Sequence, residues 1–60
     1  MKLKELRLQK LLSQRQLAKL AGLSFVTLSR IEAGKSKPTE LTIAKLAAAL
    51  GVEPNLIDFT

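Results

Sequence analysis

The stretch QRQLAKLAGLSFVTLSRI, residues 14–31, decides the fold. Just before it, Ser13 is followed three positions later by Gln16. That is a capping box, in which each side chain can satisfy the other's free backbone N–H, so a helix is expected over residues 14–21. Leu17, Leu20 and Ala21 fall together as its buried stripe. Gly22 supplies the left-handed conformation that ends the helix without a Cβ penalty. Ser24 is the natural N-cap of a further helix over about residues 25–33, with Leu28 and Ile31 turned inward and Gly34 closing it. Two short helices therefore meet at a three-residue turn.

On the N-terminal side, residues 2–10 read as a first helix. At 100° per residue, Leu3, Leu6, Arg7, Lys10 and, at the margin, Leu11 share a face, which puts a guanidinium at the edge of an apolar stripe. Arg7 therefore needs a carboxylate. On the C-terminal side, Thr39 caps a helix over residues 40–50, where Ile43, Leu46, Ala47 and Leu50 follow the i, i+3, i+4, i+7 rule before Gly51 stops it. Pro54 suits the first turn of a short fifth helix over residues 54–57. No run alternates with period two, and Val and Ile together number five, so no strand is expected. The expected fold class is all-α: five helices on one core, in a single domain of residues 1–60.

The chain has 60 residues, of which 47% are hydrophobic and two, Phe25 and Phe59, are aromatic. That is apolar enough to fold, but a domain of this size nets only a few kcal/mol, so every cap and core leucine matters. With no Cys and no His, disulfide frameworks, zinc fingers, thiol nucleophiles and imidazole bases are all excluded. The net charge is +5, and it is uneven: residues 1–37 carry nine basic and two acidic side chains, residues 38–60 one and three. A polyanionic partner for the first three helices follows. The longest apolar stretch, residues 46–50, is far short of the roughly 18 residues a membrane span needs. Residues 1–4 also lack a signal peptide's apolar run, and a cytoplasmic location is expected.

Residues 14–31 resemble the helix-turn-helix of the phage repressor and Cro-type (Xre-like) DNA-binding family. Leu17, Ala21, Leu23, Leu28 and Ile31 stand where that motif places apolar residues, Ala18 where it has a small one, and Gly22 at the turn. The spacing has a reason. Two helices crossing steeply at short range need a methyl-sized contact and, between them, a residue tolerant of positive φ. Residues 12–14 resemble the family's approach to its second helix, residues 30–35 its exit from the third, and Pro38-Thr39 through Leu46-Ala47 to Leu50-Gly51-Val52 its fourth. Coverage is about residues 3–57. The resemblance implies a lambda-repressor-like domain with its helix-turn-helix in helices 2 and 3, and a structural ion pair between Arg7 and Glu32. A catalytic Glu32 is disfavoured, because a lone carboxylate with no second acid or metal ligand has nothing to work with. Leu11 departs from relatives that often carry Gly there. A leucine forced left-handed would cost about 1–2 kcal/mol, so the first helix is expected to extend or tighten instead.

With Leu28 and Ile31 inward, Val26, Ser29 and Arg30 fall on the opposite face of the third helix, flanked by Phe25 and Thr27. The resemblance sends that face into the major groove of a duplex operator. Base contacts are expected from Phe25, Val26, Ser29 and Arg30. Arg30 can donate two parallel bonds to guanine, a contact worth about 1–3 kcal/mol of discrimination. Val26 suits a thymine methyl group. Phe25 either meets such a methyl or folds back onto the edge of the core. Phosphate contacts are expected from Ser13, Gln14 and Arg15 at the start of the second helix, from Ser24 and Thr27, and from Lys35, Ser36 and Lys37 in the loop after Gly34. Lys2, Lys4, Lys19 and Lys45 read as solvated surface.

One such domain reads a short half-site, so a homodimer is expected at least on DNA, with recognition helices about 34 Å apart. Leu8 and Leu41, off their helices' buried stripes, and Ile57 and Phe59 near the end are candidates for its interface, the fifth helix above all. The expected function is sequence-specific duplex DNA binding by a transcriptional regulator, a repressor in the leading reading. The competing reading is a protein-interaction adaptor or antitoxin-type module built on the same fold. A membrane-active amphipathic peptide is disfavoured by the three regular caps. No cofactor, metal, small-molecule ligand, membrane partner or enzymatic activity is expected.

Overall fold

The computed structural model describes residues 1–59. Its helices are α1 (Leu3–Gln9), α2 (Gln14–Ala21), α3 (Phe25–Glu32) and α4 (Glu40–Leu50). Three start on hydroxyl caps. Ser13 Oγ accepts from Gln16 N at 3.1 Å while Ser13 N donates to Gln16 Oε1 at 2.8 Å. Ser24 Oγ accepts from Thr27 N at 3.1 Å and Thr39 Oγ1 from Thr42 N at 3.2 Å. At the start of α1 the cap is reversed: Lys2 N donates to the carboxylate of Glu5 at 3.2 Å. Each bond satisfies a backbone N–H or side-chain acceptor that the first turn would otherwise leave open.

All four helices end the same way. A residue at positive φ follows the last turn, and the N–H of the residue after it returns to a carbonyl five positions back: Leu12 to Arg7, Leu23 to Ala18, Lys35 to Arg30 and Val52 to Ala47, at 2.8–3.1 Å. Gly22, Gly34 and Gly51 take the positive-φ position in three of them, and Leu11, at φ 57°, takes it in the fourth. The first helix does not extend. Its last turn tightens, with Lys10 N donating to Arg7 O at 3.1 Å and Leu11 N to Leu8 O at 3.0 Å, yet this does not spare Leu11 the left-handed conformation it was expected to avoid. The chain accepts a left-handed leucine, whose side chain is 89% exposed and buries nothing in exchange.

Leu17, Leu28 and Leu46 are fully buried at the centre, surrounded by Leu3, Leu6, Ala18, Ile31, Ala47 and Leu50. The helix α2 packs on both α3 and α4. Its inward stripe is Leu17, Ala18 and Ala21, whereas Leu20, expected inside, is 61% exposed. A close crossing admits the methyl of Ala18 and turns Leu20, roughly 100° around the wheel from the stripe's centre, toward solvent. Lys10, placed on the buried face of α1 by periodicity, lies beyond its last turn and is exposed.

The described residues hold four α-helices, not five. Residues Pro54–Leu56 form a single 3-10 turn, closed by Leu56 N to Glu53 O at 3.0 Å and Ile57 N to Pro54 O at 3.2 Å. Ile57 then becomes extended and drops into the core, which leaves no second turn to propagate a helix. The segment after it runs beside the N-terminus. Asp58 N donates to Met1 O at 2.7 Å, Met1 N to Leu56 O at 2.9 Å, and Lys2 and Asp58 form an isolated parallel bridge. No strand longer than that bridge occurs among the described residues.

Candidate nucleic-acid interface

The orientation of α3 follows from two side chains. Leu28 and Ile31 lie three apart and are both buried, so the helix is pinned by one face. The opposite face carries Val26, 56% exposed, Arg30, also exposed, and Ser29, half-buried. Thr27 is exposed, but its hydroxyl accepts from Ser24 Oγ at 2.7 Å, so the two are held together at the cap. Lys35, Ser36 and Lys37 stand exposed in the loop beyond Gly34.

The first turn of α2 lies beside the first turn of α3. Arg15 reaches across, with its guanidinium carbon 4.3 Å from the centroid of the Phe25 ring. Phe25 is half-buried beneath it and is not among the apolar residues packed on the core, so it does not fold back onto the core edge. Lys4, Arg7, Ser13, Gln14, Arg15 and Phe25 together line an open hollow of about 500 Å³. Sequence reasoning set Lys4 aside as solvated surface. Its position one turn before Arg7 on α1 was the signal that could have brought it here. Nothing in the periodicity of either helix marks the pairing of Arg15 with Phe25.

Behind the hollow, Arg7 donates from Nε to Glu32 Oε2 at 2.8 Å and from Nη2 to Oε1 at 3.2 Å, while Nη1 donates to Leu12 O at 2.8 Å. Gln14 Nε2 adds a bond to Glu32 Oε1 at 3.2 Å. The cluster joins the end of α3 to α1 and to the approach of α2. It also occupies one donor of Gln14, leaving its other N–H and its carbonyl oxygen. No buried side-chain nitrogen or oxygen among the described residues is left without a partner.

The family profile of the helix-turn-helix matches residues 3–57. The chain belongs to that family, of the Cro/C1 and Xre-like type. It is a DNA-binding helix-turn-helix domain, in which α2 and α3 form the helix-turn-helix pair. This family is not typically enzymatic, and no group of His, Cys, Asp and Glu able to hold a metal ion occurs among the described residues. Nor is any described helix long and apolar enough to cross a membrane. The comparisons with curated proteins and with solved structures gave no match.

The candidates for a dimer interface differ in exposure. Ile57 belongs to the core and Phe59 packs half-buried against it, because the chain after the 3-10 turn folds inward beside the N-terminus. Leu8 and Leu41 remain more than half exposed.

Proposed function

We propose that the protein is a sequence-specific regulator of transcription that lays α3 in the major groove of a duplex operator and represses by occupying it. The domain of residues 1–60 acts as one DNA-binding unit. The observation that carries this reading is the outward face of α3: an exposed arginine and an exposed valine, Arg30 and Val26, opposite a buried leucine and isoleucine. Arg30 donates bidentately to guanine, Val26 meets a thymine methyl, and Ser29 and Phe25 complete the base-facing surface. Ser13, Gln14, Arg15, Ser24 and Thr27 on one side, and Lys35, Ser36 and Lys37 on the other, hold the flanking phosphates without reading sequence.

The protein binds as a homodimer at least on DNA, its two recognition helices about 34 Å apart on one side of the duplex. Of the interface candidates, Leu8 and Leu41 keep the exposure that such a contact requires. Selection from random duplexes tests the whole reading. Enrichment of a palindrome supports reader and dimer together. Absence of any enriched sequence, with binding insensitive to salt, turns the domain into a protein-interaction adaptor or antitoxin-type module. Operator binding through about six phosphates weakens roughly a thousandfold between 50 and 200 mM salt, whereas an apolar protein interface hardly changes.

A further inference from the structure

Arg15 is the second residue of α2 and Phe25 the first of α3, and the guanidinium carbon of Arg15 lies over the Phe25 ring, 4.3 Å from its centroid, although neither residue belongs to the core. An aromatic ring at the start of a helix, half-buried but unattached to the core, has little packing reason to be there. Its partner does have a use for it. The N–H donors of a guanidinium lie in its plane, so a ring against one face leaves every donor free while restricting how the group can tilt. No hydrogen bond or ion pair of Arg15 to a protein acceptor occurs among the described residues. Lys4 lines the same hollow, so an anion seated against Arg15 meets a second cation there.

We infer that Phe25 is a positioning residue for Arg15: its ring holds the guanidinium ready for a phosphodiester of the DNA backbone, so that a charge contact made by α2 depends on an uncharged side chain of α3. Holding the arginine before DNA arrives removes part of the ordering cost of the contact. A thymine methyl meeting Phe25 would have to use the edge or the uncovered face of the ring. The inference rests on the DNA-binding reading of the same surface.

The test is the salt dependence of binding to one duplex taken from the selection, followed between about 50 and 200 mM salt. Loss of one phosphate contact lowers the slope of log K against log salt by about 0.9 per bound protomer, and R15A should show that drop. F25L removes no charge, yet it should lower the slope by the same amount, and F25L combined with R15A should lower it no further. F25Y, which keeps the ring, should retain the parent slope. F25M serves in place of F25L should the latter not melt cooperatively. A parent slope in F25L or F25M overturns the inference while leaving the DNA-binding reading intact. A parent protein whose affinity for duplex DNA ignores salt overturns both.

Discussion

Arg7 and Glu32 lie 25 residues apart, and two bonds, at 2.8 and 3.2 Å, join them where both side chains are more than nine-tenths buried. The third guanidinium donor closes on the carbonyl of Leu12, so one side chain fixes the loop between α1 and α2 and the end of α3 together. A buried pair of this kind adds little over an apolar pair of the same shape, but breaking it leaves a buried charge uncompensated.

Arg7→Ala should therefore cost about 3–5 kcal/mol, which is most of the stability a domain this small commands. Thermal unfolding followed by circular dichroism is the check. Replacing both partners, Arg7→Met with Glu32→Leu, should cost clearly less than Arg7→Ala alone. An unchanged melting temperature in Arg7→Ala would remove the pair from the account of stability.

Leu11 offers a gain. Its left-handed backbone costs about 1–2 kcal/mol. Glycine returns roughly 0.5–1 of that as chain entropy, and the exposed side chain gives up almost no buried area. Leu11→Gly should stabilise the domain by about 0.5–1 kcal/mol, read as a higher denaturant midpoint at unchanged m-value. Gly22→Ala should shift the midpoint the other way by about 1 kcal/mol. Beyond its two chain neighbours, no heavy atom lies within 4 Å of where that Cβ would stand, so the cost comes from backbone strain at φ 70° and not from a clash.

Leu17 and Leu20 have the same side chain on the same helix and should respond very differently. Leu17→Ala, at a fully buried site, should cost about 2–5 kcal/mol, whereas Leu20→Ala should stay within about 0.5 kcal/mol. Equal losses in urea denaturation would contradict the orientation of α2.

On DNA, Arg30→Ala should lose discrimination more than total affinity, by about 1–3 kcal/mol between the best site and a single-base variant at the contacted position. Lys35→Ala should weaken every duplex alike and lower the salt slope by about one. Titration of matched and mismatched duplexes separates the two patterns. Equal loss on all duplexes from Arg30→Ala would take that residue out of the groove.

The sequence by itself determined where α2 and α4 start and stop, where α3 starts, and which way α3 faces. Those decisions are local. Ser13 with Gln16, Ser24 and Thr39 each close a bond within three residues, Gly22 and Gly51 relieve one turn, and Leu28 and Ile31 need only the helical period to share a face. The wheel of α1 likewise asks for a carboxylate beside Arg7, without saying which. The family resemblance names Glu32 for that place and Ala18 for the helix contact. Tertiary structure decided that Gln14 joins the ion pair, that Leu20 turns toward solvent, that Leu11 takes the left-handed position, and that Arg15 lies over Phe25. It also decided that the chain after Pro54 makes one 3-10 turn and folds in beside Met1. Each of these depends on how closely and at what angle separate segments cross. That geometry is set by the whole core at once, and no pattern within a few residues contains it.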